Sequence, residues 1–252
     1  MLPSVALGIV IIVMRQLGVL ESFELGAYDR FIRWRPNEGI DDRFLVVGVD
    51  ETDIQRLNEF PLHDGTVADL LTTLLTYNPR VIALDIARDV PQGDEAGRDR
   101  LQDVVAGSDR IITGCLLSSE VSPGVAPAPG TPDNRVGFAD FPQDPSGVVR
   151  RTNLVSVPTP PPQNWPRLHF CNNVQAQPVS LSLAAALTYL KDEGLEAEKT
   201  EFEEIQLGDA ILLRVFPGQY GGYQSTGAVD YQIMLNYRSA TESVRQVTLT
   251  EV

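Results

Sequence analysis

Two short apolar runs on either side of an amphipathic helical pattern constrain the fold most. Residues 44–49 (FLVVGV) and 81–86 (VIALDI) are rich in β-branched side chains and too short for typical helices. After Asp64, which we expect to cap a helix, apolar side chains recur at helical spacing: Val67, Leu70, Leu71, Leu74 and Leu75. The pattern predicts a β-α-β unit whose parallel strands are buried on both faces and joined by a right-handed crossover.

The same alternation continues along the chain. A helical pattern over residues 99–106 precedes a third apolar run at 110–117, and a further helix is predicted over 181–190. Two alternating segments follow at 210–216 and 231–237. We therefore predict an α/β fold: a mostly parallel central sheet with helices on both faces, plus an antiparallel C-terminal extension.

The N-terminus carries an apolar run, residues 5–14 (VALGIVIIVM), that stops at Arg15. It is shorter than the about 20 residues that span a bilayer, and it lacks the basic segment and cleavage site of a secretory signal. We interpret residues 1–20 as the C-terminal part of a membrane helix, with Arg15 at the interface. The alternative is an ordinary buried helix of the fold.

Composition excludes several classes of protein. With 34 acidic and 20 basic residues the net charge is −14, which argues against a nucleic-acid partner. Residues 1–190 contain no lysine for a phosphate loop or a Schiff base. Two cysteines are too few for a disulfide scaffold, His169-x-Cys171 alone is not a metal site, and no cofactor is predicted. One disulfide is possible, although Cys115 lies in an apolar run that favours a small buried side chain.

Acidic side chains follow the first two predicted strands. Asp50 and Glu51 end the first, and Asp85 with Asp89 follows the second. Ligands of open α/β sheets bind beyond the carboxyl ends of the strands, so these carboxylates are expected to converge on one crevice. They would suit Mg²⁺, Ca²⁺ or a cationic group. Short acidic residues also end strands and cap helices without binding a ligand.

Three further residues are candidates for binding an anionic group. His63 and Asp64 precede a helix N-terminus, which favours anions, unless Asp64 only caps the helix and His63 is exposed. Arg150 and Arg151 form an adjacent basic pair that suits carboxylates or phosphates, or pairs with surface acids. Because side chains alternate along a strand, at most one of the two is expected to face a given pocket.

The order of several motifs resembles a known family. They are "YDRFIRWRP", "LVVGVDETD", "FPLHDGTVADLLTTLLTYNPRVIALDIARDVP", "RVGFADFPQDPSGVVRR", "VSLSLAAALTYL" and "IMLNYRS". Over residues 17–252 this succession resembles a CHASE type 2 (CHASE2) domain, particularly its cyanobacterial form. The resemblance implies the extracytoplasmic sensory module of a bacterial receptor, placed after one membrane helix and controlling a cytoplasmic histidine kinase, nucleotide cyclase or protein kinase. It implies no catalytic residues.

We therefore predict a non-enzymatic signal-sensing domain, residues 21–252, on the outer side of the cell membrane. Its signal is a small molecule, an ion or a protein. The last strand and returning membrane helices of the family are missing, which predicts a C-terminal truncation and an unpaired edge that favours a homodimer. The alternatives are a structural dimerisation module and a metal-dependent phosphohydrolase or phosphoacceptor that uses Asp50, Glu51 and Asp85.

Overall fold

The computed structural model describes residues 2–161, 168–216, 223–224, 230–238 and 243–252. Within these ranges the chain forms the helices α1 (Leu2–Gln16), α2 (Glu21–Arg33), α3 (Glu51–Leu57), α4 (Asp64–Thr76), α5 (Glu95–Gly107) and α6 (Leu181–Lys191). It also forms the strands β1 (Leu45–Gly48), β2 (Ile82–Leu84), β3 (Ile111–Cys115), β4 (Val136–Phe138), β5 (Arg151–Val155), β6 (Ala197–Lys199), β7 (Ile205–Leu207), β8 (Ala210–Leu212), β9 (Tyr231–Met234) and β10 (Arg245–Thr248).

The central sheet is parallel and has the order β2-β3-β4. Helix α5 connects β2 to β3, and α4 packs beside α5. The two helices approach closely because Gly65 faces Gly97: a Cβ atom on Gly97 would lie 2.9 Å from the Gly65 nitrogen. Among the described residues, the largest buried cluster is formed by apolar side chains of α4, α5, β2 and β3, together with Leu62 and Ala128. Its most buried members are Val67, Leu71, Leu101, Val105 and Ile111.

Helix α6 covers the opposite face of this sheet. Gly114 of β3 and Gly137 of β4 leave room for it, since a Cβ atom on Gly137 would lie 2.5 Å from the Leu181 Cα atom. Ile111 and Gly114 have opposite parity along β3, so they point to opposite faces. The predicted α/β arrangement with helices on both faces of a parallel sheet is therefore confirmed for β2-β3-β4.

The first predicted strand is present, but its surroundings differ from the prediction. Strand β1 pairs in parallel with β10, not within the sheet of β2. Its side chains are largely exposed, at 51% for Leu45 and 45% for Val46, so the prediction of a strand buried on both faces is wrong. A local apolar run specifies a strand but not its partner, and here the partner lies about 200 residues away in the sequence.

The remaining strands are antiparallel. Strand β5 pairs with β9, and β6, β7 and β8 form a three-stranded meander. Leu25 of α2 joins Val215, Tyr223 and Met234 in a small apolar cluster, which packs α2 against the β5–β9 pair. Tyr28 also donates a hydrogen bond to the Leu235 carbonyl oxygen, at 3.1 Å.

The two N-terminal helices meet at a sharp bend. Among the described residues, no helix reaches the length and apolar composition of a membrane span by itself. Ser4–Gln16 and Glu21–Arg33 meet those criteria only as a pair, and the angle between them is 85°. The apolar side chains of α1 from Val5 to Met14 are exposed.

The two cysteines form a disulfide between the end of β3 and a short 3₁₀ turn, Phe170–Asn172. Cys115 and Cys171 are both buried, and their Cα atoms are 6.4 Å apart. The prediction of a buried Cys115 is confirmed, but the preference for an unbonded side chain is wrong. The sequence separation of 56 residues did not reveal that the two segments meet.

Candidate functional site

Two concave surfaces lie near predicted site residues. The first, the β1 crevice, is at the carboxyl ends of β1 and β10, has a volume of about 220 Å³ and includes Asp50 and Glu251. The second, the α4–α5 groove, lies at the N-termini of α4 and α5, has a volume of about 410 Å³ and includes His63 and Arg100. Small-molecule sites usually measure about 300–1,000 Å³, so the α4–α5 groove is the better candidate.

His63 enters the groove from the start of α4. Its backbone is extended and occupies the N-cap position, and its ring Nδ1 lies 3.1 Å from Glu59 Oε1. Glu59 Oε2 accepts hydrogen bonds from the His63 backbone N–H at 3.0 Å and from the Thr66 hydroxyl at 2.7 Å. Burial raises the pKa of Glu59, but these hydrogen bonds outweigh it and hold the pKa below its usual value. Glu59 is therefore an ionised partner for the half-exposed imidazole.

The other wall of the groove carries charges of both signs. Arg100 Nη1 lies 3.3 Å from Asp69 Oδ1, and both side chains are exposed. Asp94 caps α5, because its Oδ1 accepts a hydrogen bond from the Gly97 N–H at 2.7 Å. One arginine, one histidine and three carboxylates thus surround two helix N-termini. The arrangement suits a small ligand that carries both an acidic and a basic group.

Beneath the groove, the fully buried Asp64 forms an ion cluster with two arginines. Its two oxygens lie 3.2 Å from Arg88 Nη1 and 3.0 Å from Arg98 Nη1, and the Gln92 N–H donates to it at 3.2 Å. The prediction that Asp64 caps α4 is wrong, since His63 occupies the cap and Asp64 is the first helical residue. The Asp64 cluster (Asp64, Arg88 and Arg98) fixes the start of α4 to the segment before α5.

Arg150 and Arg151 belong to a second buried cluster, the Asp144 cluster, with Asp29, Asp144 and Tyr223. Arg150 binds both oxygens of Asp29 at 2.8 Å, and its Nη1 lies 2.6 Å from Asp144 Oδ2. Arg151 Nη2 lies 2.8 Å from Asp144 Oδ1, and Tyr223 donates its hydroxyl to Asp144 at 2.6 Å. The two arginines therefore share one carboxylate. Arg150 precedes β5 and is outside its alternation, so it can share Asp144 with Arg151. Neither arginine lines the β1 crevice or the α4–α5 groove, so the expectation that at most one of them faces a given pocket stays a prediction.

The electrostatics of the Asp144 cluster keep its carboxylates ionised. Burial raises the pKa of Asp144, but the hydrogen bonds from Tyr223, Arg150 and Arg151 outweigh that effect and lower the pKa overall. The hydrogen bonds from Arg150 also lower the pKa of Asp29. Burial and the bond to Asp144 raise the pKa of the Tyr223 hydroxyl, so it remains a donor. Both arginines are buried and already paired, and this cluster joins α2 to the β5–β9 pair.

The predicted acidic residues do not converge. Asp50 caps α3 at Asp53 and lines the β1 crevice, Glu51 is exposed beside it, and Asp85 and Asp89 follow a strand of the other sheet. Within the described ranges, no three His, Cys, Asp or Glu side chains are grouped to hold a metal ion. The expectation that these carboxylates converge on one crevice is therefore wrong, because β1 and β2 belong to different sheets.

Sequence reasoning missed Asp53. It is fully buried and accepts hydrogen bonds from the backbone N–H groups of Leu249 and Thr250, both at 3.1 Å, and from the Thr250 hydroxyl at 2.7 Å. Its side chain and that of Asp50 complete a reciprocal capping box. The Asp-x-x-Asp spacing is a signal for that box, but not for the contact with the C-terminal segment.

The residues that the structure describes thus form an α/β domain with an open charged groove and buried ion clusters. The family model of the CHASE2 domain matches residues 6–252, essentially the whole chain, so the chain belongs to the CHASE2 domain family. This is a family of extracytoplasmic sensory domains, and the resemblance of the motifs to a CHASE2 domain is confirmed, while the cyanobacterial form stays a prediction. No curated protein and no solved structure matches the chain significantly.

Proposed function

We propose that this chain is the extracytoplasmic signal-sensing domain of a transmembrane receptor, and that the α4–α5 groove binds its signal molecule. The observation that carries this proposal is the link between α2 and the part of the domain that follows it, which we call the body. Arg150 makes this link, because it pairs with Asp29 of α2 and with Asp144 of the body. Helix α2 follows the apolar α1 after a bend of four residues. A movement of the body would therefore reach the membrane anchor.

The disulfide supports a position outside the cytoplasm. Disulfides persist in oxidising compartments and are rare in the reducing cytosol. The Cys115–Cys171 bond closes a long loop and is buried, as expected of a structural bond in an exported domain. We therefore place residues 21–252 on the outer side of the membrane.

In the signal path that we propose, two segments connect the body to the membrane. One is α2, held by the Asp144 cluster, and the other is the segment after β10, held by Asp53. Ligand binding shifts the population between two arrangements of the body, and these two segments transmit the conformational change to the membrane. The output in the full receptor is a cytoplasmic histidine kinase, nucleotide cyclase or protein kinase. The homodimer stays a prediction, with exposed β1 as the surface to examine.

The groove favours a small zwitterion, such as an amino acid, as the signal. Its carboxylate would meet Arg100 and the N-termini of α4 and α5, where the positive ends of the helix dipoles favour an anion. Its ammonium group would meet Glu59, Asp69 or Asp94. No contact in the described residues favours the alternative metal-dependent hydrolase.

A thermal-unfolding screen of the full chain in detergent with individual amino acids tests this proposal. A ligand at 100 times its dissociation constant should add about 2.7 kcal/mol to the free energy of unfolding. Arg100→Ala should abolish that gain. Arg245→Ala is the matched control, since both arginines are exposed and pair weakly with one aspartate, at 3.3 Å for Arg100 and 3.4 Å for Arg245. A panel without any stabilising member, or a gain that survives Arg100→Ala, would contradict the groove assignment.

A further inference from the structure

Helix α2 presents three aromatic side chains to solvent. The exposed fraction is 77% for Phe23, 65% for Phe31 and 76% for Trp34, the residue that ends the helix. At 100° per residue, the three fall within an arc of about 80°. The opposite side of the helix holds Leu25 and Tyr28, which contact the body. The helix is therefore attached by one face and carries an aromatic stripe on the other.

We infer that α2 lies flat in the membrane interface, with this aromatic stripe among the lipid headgroups and the upper acyl chains. The inference deepens the proposed function, because it takes α1 as the membrane anchor. Helix α2 has five charged residues among its 13, which keeps it out of the hydrocarbon core. Arg30 and Arg33 are exposed in its last turn, where their guanidinium groups reach lipid phosphates.

The bend between the helices gives α2 the orientation that this contact requires. With α1 along the bilayer normal, an angle of 85° places α2 almost parallel to the membrane plane. Arg15 of α1 lies 2.9 Å from Glu24 of α2, so the Glu24 side of α2 faces α1. Phe31 is seven residues after Glu24 and lies on nearly the same side of the helix. Trp34 and Phe23 lie about 80° and about 100° round the helix from Glu24, so the aromatic stripe begins on the side of α2 that faces α1 and extends to one flank of it.

The composition of the stripe suits a lipid interface, and its position next to α1 favours lipid over a protein partner. Tryptophan, other aromatic residues and arginine are the side chains that accumulate at membrane interfaces. The stripe is also continuous with α1, whose apolar side chains are exposed all around the helix. A second copy of the chain is the competing occupant, and the experiment below separates the two.

Trp34 is a native probe of this contact, because the sequence contains only two tryptophans. Trp165→Phe leaves Trp34 as the sole tryptophan of the full chain, which is reconstituted in vesicles of phosphatidylcholine and phosphatidylglycerol, and its emission is excited selectively over that of tyrosine. We expect a blue-shifted emission and strong quenching when the phosphatidylcholine is brominated near the top of its acyl chains. The matched control combines Trp34→Phe, Trp165→Phe and Phe202→Trp. Position 202 is as exposed as position 34 but lies in the turn between β6 and β7, and we expect no quenching there.

Each outcome has one meaning. Quenching of Trp34 with an unquenched control supports the inference. A chain that floats with the vesicles but shows an unquenched, red emission from Trp34 overturns it and leaves the membrane anchor and the sensory role intact. A blue-shifted but unquenched Trp34 shows contact with a second copy and overturns it as well. A chain that does not float overturns both the inference and the anchoring on which it rests.

Discussion

The Asp64 cluster and the Asp144 cluster have the same chemistry but connect different parts of the molecule. In each, one buried carboxylate binds two arginines, at distances between 2.6 and 3.2 Å. The Asp64 cluster spans 34 residues of sequence, from Asp64 to Arg98, and stays within the body. The Asp144 cluster reaches over 121 residues from Arg150 to Asp29. The first therefore stabilises the body, while the second joins the body to α2.

Removal of the Asp64 carboxylate should have the largest effect on stability. Asp64→Ala leaves Arg88 buried and without its counterion, and breaking a buried ion pair costs about 4 kcal/mol. Urea unfolding of the full chain in detergent measures this loss. Asp69→Ala on the same helix is the control, since its pair with Arg100 is exposed and should cost less than about 1 kcal/mol. Equal losses for the two variants would show that the Asp64 cluster does not stabilise the body.

Asp144→Ala should cost less, about 3 kcal/mol, because Arg150 keeps Asp29 as a partner. Arg151 also keeps its hydrogen bond to Gln232, at 2.8 Å. The measurement is again urea unfolding, with Asp42→Ala as the control, since Asp42 is exposed and only pairs with Arg245 at 3.4 Å. A loss below that of Asp42→Ala would contradict the assignment of Asp144 as the centre of the cluster.

The pH dependence of the free energy of unfolding should also differ between the wild type and Asp144→Ala, by less than the loss of stability predicted above. The folded pKa of Asp144 is below the usual 3.8, because hydrogen bonds from Tyr223, Arg150 and Arg151 outweigh the effect of burial. The Asp144 carboxylate therefore stabilises the fold fully above its unfolded pKa, and this stabilisation is lost as the pH falls through its folded pKa. Between about pH 5 and about pH 3, the free energy of unfolding should fall more steeply in the wild type than in the variant. Parallel profiles would show that Asp144 does not carry this dependence.

The elements that local periodicity controls could be predicted from the sequence. The helix expected over residues 181–190 is Leu181–Lys191, and the third apolar run contains β3, because an amphipathic period or a β-branched run is a local property. The pairing of β1 with β10 could not be predicted, since it depends on packing between distant segments. For the same reason, the basic pair at Arg150 and Arg151 drew attention as a site but not as a buried link to Asp29. His63 in the groove was found because it precedes a helix.

Hydrogen exchange of the backbone amides of α2 tests the central claim most directly: the Asp144 cluster couples the membrane-side helix to the sensory body. The full chain and the variants Asp144→Ala and Asp64→Ala are compared in the same detergent. We predict faster exchange over Glu21–Arg33 in Asp144→Ala with α4 and α5 unchanged, and the reverse in Asp64→Ala. Wild-type exchange rates in α2 of the Asp144→Ala variant would contradict the coupling.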